Sequence, residues 1–217
     1  MDNTTSKSGL WLGEFTDTYY EFIDKGYEVT LASPRGGRPP IDPLSELTKN
    51  ITSSNRRFRD DDVAQQKFNN TFRLEEVHAK DFDGLFIPGG HVPVWDLATN
   101  DISGRIILDF LASNKPVAAV CHGPAALLKA AELQPDLLRG KKLTAYTNAE
   151  EVMALRHKNV PYRLESRLKE LGAKFESALV PFTSHVVKDG LLITGQNPLS
   201  AGPTAEVLNE VLENKMV

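Results

Sequence analysis

Cys121 is the only cysteine among 217 residues, and its setting is that of a mounted nucleophile. It closes the apolar run Pro116-Val117-Ala118-Ala119-Val120, and beyond His122 the run Gly123-Pro124-Ala125-Ala126-Leu127-Leu128 reads as a helix. A buried strand of small and β-branched residues fixes the backbone, and the free N–H groups of the next helix face back toward the turn. That positive end favours the thiolate, the form that attacks carbonyl carbon. His122 follows directly, a side chain suited to holding a proton near neutral pH. A lone cysteine also serves as a small buried hydrophobe. The strand, Cys-His-Gly-Pro and helix context is what points to chemistry.

A second turn is suited to work with the first. Gly84-Leu85-Phe86-Ile87-Pro88 reads as a strand running into Gly89-Gly90-His91. In a parallel sheet ligands gather at the carboxyl ends of the strands, where two such turns can meet over one pocket. Paired glycines let the backbone approach a ligand closely, and their N–H groups can hold an oxyanion. Taken alone, a Gly-Gly is only a turn. His78 and His157 lie in polar stretches and read as surface residues, and His185 opens a hairpin strand, where a backbone partner is expected. No pair of histidines shows metal-ligand spacing with a carboxylate, so neither a metal nor another cofactor is expected. Trp95 and Tyr19 suit either the pocket wall or the core.

The elements that must position these turns alternate along the chain, which argues for an α/β fold with a mostly parallel sheet covered on both faces. Trp11, Phe15, Tyr19 and Phe22 recur at about one-turn spacing and predict a helix over Trp11–Lys25, ended by Gly26. Tyr27–Ser33 reads as a strand and Pro34–Pro43 as a loop. Leu44–Asn70 is polar and helical in its second half. Its Asn55-Arg56-Arg57-Phe58-Arg59 cluster, answered by Asp60-Asp61-Asp62, reads as a solvated surface. Ile106–Leu111 belongs to a helix, Lys142–Tyr146 and Lys174–Ser177 to strands, and Tyr162–Leu171 to a helix. His185–Thr194 is a hairpin turning at Asp189-Gly190, and Ser200–Leu212 is a closing helix.

A net charge of −4 with 41% hydrophobic residues suits one globular domain over residues 1–217. No continuous basic stripe invites nucleic acid. No run has membrane-spanning length, and the polar Met1–Ser8 segment has no signal-like apolar region. A single cysteine excludes an internal disulfide and suits a reducing, cytoplasmic compartment.

Five segments carry a resemblance that spans nearly the whole chain: Gly9-Leu10-Trp11-Leu12-Gly13-Glu14-Phe15, Val29-Thr30-Leu31-Ala32-Ser33-Pro34, Pro88-Gly89-Gly90-His91, Ala118-Ala119-Val120-Cys121-His122-Gly123-Pro124 and Ile193-Thr194-Gly195-Gln196-Asn197-Pro198. Together they resemble the Hsp31-like branch of the DJ-1/ThiJ/PfpI superfamily. The resemblance implies a flavodoxin-like three-layer sandwich and a homodimer. It places Glu14, from the first helix, against the nucleophile. An acidic residue from the loop Thr147-Asn148-Ala149-Glu150-Glu151 is implied as the partner of His122, with Glu151 at the matching position and Glu150 one residue away. It further implies glutathione-independent glyoxalase activity on α-oxoaldehydes such as methylglyoxal, with no cofactor. The competing readings are a holdase chaperone, a deglycase or peptidase using the same thiol, and an oxidation sensor.

Two positions depart from the pattern. The family begins with an apolar strand that Met1–Ser8 cannot form, so the first family strand is expected to be missing from the sheet through truncation or loss. Val92 stands where relatives have glycine, and a β-branched residue there is expected to narrow the turn and resist positive φ.

Overall fold

The computed structural model describes residues 8–156 and 158–215. The first helix, α1 (Leu12–Asp24), buries Leu12, Phe15, Tyr19 and Phe22 as its spacing predicts. It leads to β1 (Ala32–Ser33), the helices α2 (Ser53–Asp60) and α3 (Asp62–Asn69), and β2 (Phe72–Arg73). Then come β3 (Leu85–Ile87), α4 (Asp101–Ala112), β4 (Val117–Val120), α5 (Ala126–Leu133), β5 (Lys142–Leu143), α6 (Asn148–Met153) and α7 (Leu164–Glu170). β6 (Lys174–Phe175), β7 (Val186–Asp189), β8 (Leu192–Gly195) and α8 (Ala201–Glu213) complete the order.

The central sheet runs β3-β4-β8-β7, parallel throughout except for the β7–β8 hairpin. Short parallel pairs, β1–β2 and β5–β6, accompany it. β4 is buried along its whole length, as a strand covered on both faces must be. Its alternation sorts the two cores. Val117 and Ala119 pack with Ile106, Ile107 and Phe110 of α4 and with α5, whereas Ala118 packs with Ile193, Phe22 of α1 and Leu208 of α8. This is the flavodoxin-like three-layer arrangement expected from the sequence. Each fully buried aliphatic or aromatic chain among these contributes about 1.5–3 kcal/mol.

Several boundaries differ from the sequence reading. Tyr27–Ser33 forms a ladder only at Ala32–Ser33, because among the described residues its strand partner is the two-residue β2. β5 likewise stops at Leu143, after which Thr144 N–H donates to the Thr194 side-chain hydroxyl of β8 instead of to a backbone carbonyl. The basic cluster is not all solvated. Helical period turns Asn55 and Phe58 inward, Phe58 against Phe15 and Phe68, while Arg57 stays outside and chelates Asp24 at 2.7 and 2.8 Å. The expectation for Met1–Ser8 falls, up to Lys7, outside the described residues. Among the described residues β3 pairs only on its β4 side. Among them, too, no helix is long and apolar enough to cross a membrane.

Candidate active site

The turn after β4 holds Cys121 at φ 60°, in the left-handed region that residues bearing a Cβ rarely adopt. Such a backbone costs roughly 1–3 kcal/mol and persists only where its surroundings fix it. Two bonds do so here: Cys121 N–H donates to Gly195 O, and Tyr146 N–H donates to Cys121 O, both at 2.9 Å. The thiol is left 4% exposed. Its neighbours are the Glu14 carboxyl, the backbone N–H groups of Gly90 and His122, and His122 Nδ1 at 3.4 Å.

The resting thiol is not the helix-activated thiolate expected from sequence. Burial, and after it the charge of Glu14, push the Cys121 thiol well above its ordinary range, against the opposing pull of the Gly90 and His122 N–H groups. The helix end is also displaced, since a 3₁₀ turn, Gly123–Ala125, intervenes before α5 begins. A thiol held this way must be deprotonated by a neighbour when the substrate arrives.

Two neighbouring groups carry the acid–base chemistry around it. Glu14 is fully buried one turn into α1, with Oε2 accepting the Gly89 N–H at 2.8 Å. Its Oε1 is buried with no hydrogen-bond partner among the described residues. Burial raises this carboxyl to about 8, so it holds its proton at neutral pH. Gly89 has to be glycine for the arrangement to exist. A Cβ there would lie 2.7 Å from Val120 O and 2.8 Å from both Glu14 Oε2 and His122 N. Gly90 turns at φ 88°, where its own Cβ would strike the Gly9 carbonyl.

The second neighbour is a carboxylate shared by two imidazoles. His122 Nε2 lies 2.7 Å from Glu151 Oε2, and His91 Nε2 lies 3.0 Å from Oε1. Burial opposes the charge on Glu151, but hydrogen bonds from His122 and His91 outweigh it and hold the carboxyl at about 2. Burial, together with the adjacent His91, keeps His122 neutral, at about 4. An ionised carboxylate only accepts, so both Nε2 atoms carry a proton, and in the neutral His122 ring this leaves Nδ1 as an acceptor. His122 Nδ1 therefore faces Cys121 as a base. His91 Nδ1 is buried without a hydrogen-bond partner among the described residues. Tyr146, which no sequence signal marked, stacks on His122 with ring centroids 4.6 Å apart.

The two candidate glutamates separate cleanly. The segment read as a loop is the helix α6, capped by Thr147, and it sends the two side chains in different directions. Glu151 reaches the histidines. Glu150, fully buried, accepts bonds from the Thr147 N–H and hydroxyl, the Phe182 N–H, the Gln196 amide and the Asn197 amide. It ties α6 to the Thr-Gly-Gln-Asn-Pro segment. Glu150→Ala leaves several buried donors unpaired, and an unfolding midpoint in denaturant is expected to report a loss of about 3–5 kcal/mol.

Other expectations need correction. His91, His122 and Glu151 do form a histidine pair sharing a carboxylate, hidden from sequence because three separate segments supply them. Val92 is not strained, since Gly90 takes the positive φ and Val92 begins a 3₁₀ turn, Val92–Val94. His185 Nε2 is buried without the partner expected for it. His78 is exposed as expected, and His157 lies outside the described residues. Tyr19 and Trp95 pack into the hydrophobic clusters.

A strained cysteine elbow, a buried glutamate from the first helix and a Cys-His-Glu relay are thus assembled on a flavodoxin-like sheet. The profile of the DJ-1/PfpI family matches residues 8–211. The chain belongs to the DJ-1/PfpI family. Among members of the DJ-1/PfpI family, the glutathione-independent glyoxalase hsp3101 of Schizosaccharomyces pombe is 31% identical over 95% of this chain and 88% of its own length. The Rapid Encystment Protein 24 kDa of Francisella tularensis superposes with a TM-score of 0.91 at 36% identity, over 98% of this chain and 93% of the other. Glyoxalase III of Candida albicans superposes with a TM-score of 0.83 at 26% identity, over 94% and 89% of the two chains. This DJ-1/PfpI chain therefore matches relatives named as glyoxalases across nearly its full length.

Proposed function

We propose that the chain is a glutathione-independent glyoxalase that converts methylglyoxal and related α-oxoaldehydes to 2-hydroxy acids through a Cys121 thioester. The observation that carries this reading is the wholly buried set of acid, base and nucleophile around a thiol only 4% exposed. Such a recess suits a small aldehyde better than a protein-borne adduct or a peptide, which disfavours the deglycase and peptidase readings. The glyoxalase names of its relatives support the same substrate class.

The chemistry closes without a redox partner. Sγ bonds to the aldehyde carbon as His122 Nδ1 accepts the thiol proton and returns it to the new hemithioacetal oxygen, with the Gly90 and His122 N–H groups holding developing negative charge. Glu14, in its carboxylate form, removes the hydrogen of the former aldehyde carbon and delivers it to the neighbouring carbon through an enediol. The product is a 2-hydroxyacyl thioester on Cys121. Water, activated by His122, then cleaves it to the hydroxy acid and the free thiol. The sum is addition of one water to one oxoaldehyde.

The chain is further read as a cytoplasmic homodimer, since its single cysteine suits a reducing compartment. The exposed Val152, Met153, Leu179, Val180 and Leu199 provide apolar surface for a second copy. The same exposed residues are what a holdase would use, the second reading. Lactate appearing from methylglyoxal without glutathione tests the enzyme reading. A folded chain that forms none, yet suppresses aggregation of a denatured client, would favour the holdase.

A further inference from the structure

His91 Nε2, His122 Nε2 and a Glu151 oxygen belong to groups whose ligand atoms all lie within 4.8 Å of one another, and all three residues are buried. They come from the turn after β3, the elbow after β4 and α6. Two imidazoles and one carboxylate are a donor set that borderline divalent ions such as Zn²⁺ favour. Bonds of about 2.0–2.2 Å to such an ion imply ligand–ligand edges of roughly 3.3–3.5 Å in a tetrahedron. His122 Nε2 lies 2.7 Å from Oε2 and His91 Nε2 3.0 Å from Oε1, so the two imidazoles already converge on opposite oxygens of one carboxylate, and an ion between them replaces these two hydrogen bonds.

We propose that His91, His122 and Glu151 form a reversible inhibitory site for a zinc-like divalent cation, overlapping the relay that serves Cys121. Binding and inhibition follow from one proton shift. An imidazole that gives its Nε2 lone pair to the ion carries its ring proton on Nδ1. His91 Nδ1, which carries it in the bound form, has no hydrogen bond to lose among the described residues. His122 accepts it on the atom facing Cys121 Sγ at 3.4 Å. That atom can then no longer take the thiol proton. Resident metal sites anchor the outer nitrogen of each histidine on a carboxylate or carbonyl. Among the described residues neither ring has such an anchor, so the site fits a reversible ligand, with a fourth position left for water.

Only the inhibitory half rests on the glyoxalase reading; binding does not. The test is titration of the intact, chelator-treated chain with Zn²⁺ by calorimetry and with Co²⁺ by visible absorption. One ion per chain is expected, with intense tetrahedral d–d bands and no sulfur-to-cobalt charge-transfer band. Cys121→Ser is expected to keep binding, whereas His91→Ala and Glu151→Gln weaken it about 10–100-fold or more. Wild-type melting temperature is expected to rise with Zn²⁺, a readout independent of whether the variants fold. Absence of saturable binding to wild type, or binding lost in Cys121→Ser but kept in His91→Ala, would overturn the site. Zn²⁺ bound at these residues with undiminished lactate formation would overturn the inhibition. A metal-free chain without turnover that still binds Zn²⁺ through His91 would support the site while counting against the enzyme reading.

Discussion

Cys121→Ala is expected to lower lactate formation from methylglyoxal by a factor on the order of 10⁴ or more, without loss of folding. Every other group in the site acts on a bond to Sγ. His122 accepts a proton from it, Glu14 works on a carbon attached to it, and water cleaves an acyl group from it. Without the sulfur none of these steps has a substrate. Folding should survive because the thiol makes only weak sulfur contacts that alanine gives up cheaply, the 3.4 Å approach to His122 Nδ1 and its contact with the Glu14 carboxyl. The elbow backbone is held instead by the bonds to Gly195 and Tyr146. Matching unfolding curves with absent turnover are the expected pair of results. Residual activity within tenfold of wild type would mean that the chemistry does not pass through Cys121.

Glu14→Gln is expected to reduce kcat by about 10²–10⁴-fold, the range for loss of a positioned acid–base group, and to make the protein more stable. The second effect follows from where the carboxyl titrates. Unfolded, Glu14 releases its proton near the ordinary glutamate value, and folded it keeps that proton up to about 8. Between those values the folded state binds the extra proton, so raising the pH through this window weakens folding. Glutamine removes that penalty, a gain of up to about 3 kcal/mol at pH 7. The activity profile should change as well. Wild-type turnover rises as pH approaches 8, because more Glu14 becomes carboxylate, and this rising limb should disappear in the glutamine variant. Unchanged turnover, or a rising limb that persists in Glu14→Gln, would remove Glu14 from the mechanism.

Much of this site was legible because its chemistry sits in contiguous motifs. A small-residue strand followed by Cys-His-Gly-Pro specifies an elbow through local backbone preference, and the Gly-Gly turn lies at the end of a strand whose pairing with β4 follows from parallel topology. Glu14 was legible only through resemblance, since nothing in an α1 helical stripe distinguishes a buried acid from a surface one. Protonation states were not legible at all. The helix-end argument favours a thiolate at Cys121, but the depth of burial and the facing Glu14 reverse the balance, and both are tertiary facts. The shared carboxylate of Glu151 was hidden for the same reason, because the turn after β3 meets α6 only once the sheet has formed. Strand lengths failed where partners are short: Tyr27–Leu31 has strand composition, but β2 offers it no ladder.

The proposed covalent path is tested most directly by a single turnover of the intact wild-type chain with methylglyoxal and no glutathione, quenched in acid at successive times and digested for mass spectrometry. A transient gain of one methylglyoxal equivalent on the Cys121 peptide is expected, decaying at the rate at which lactate appears. Lactate forming at full rate with Cys121 never modified would contradict the thioester mechanism.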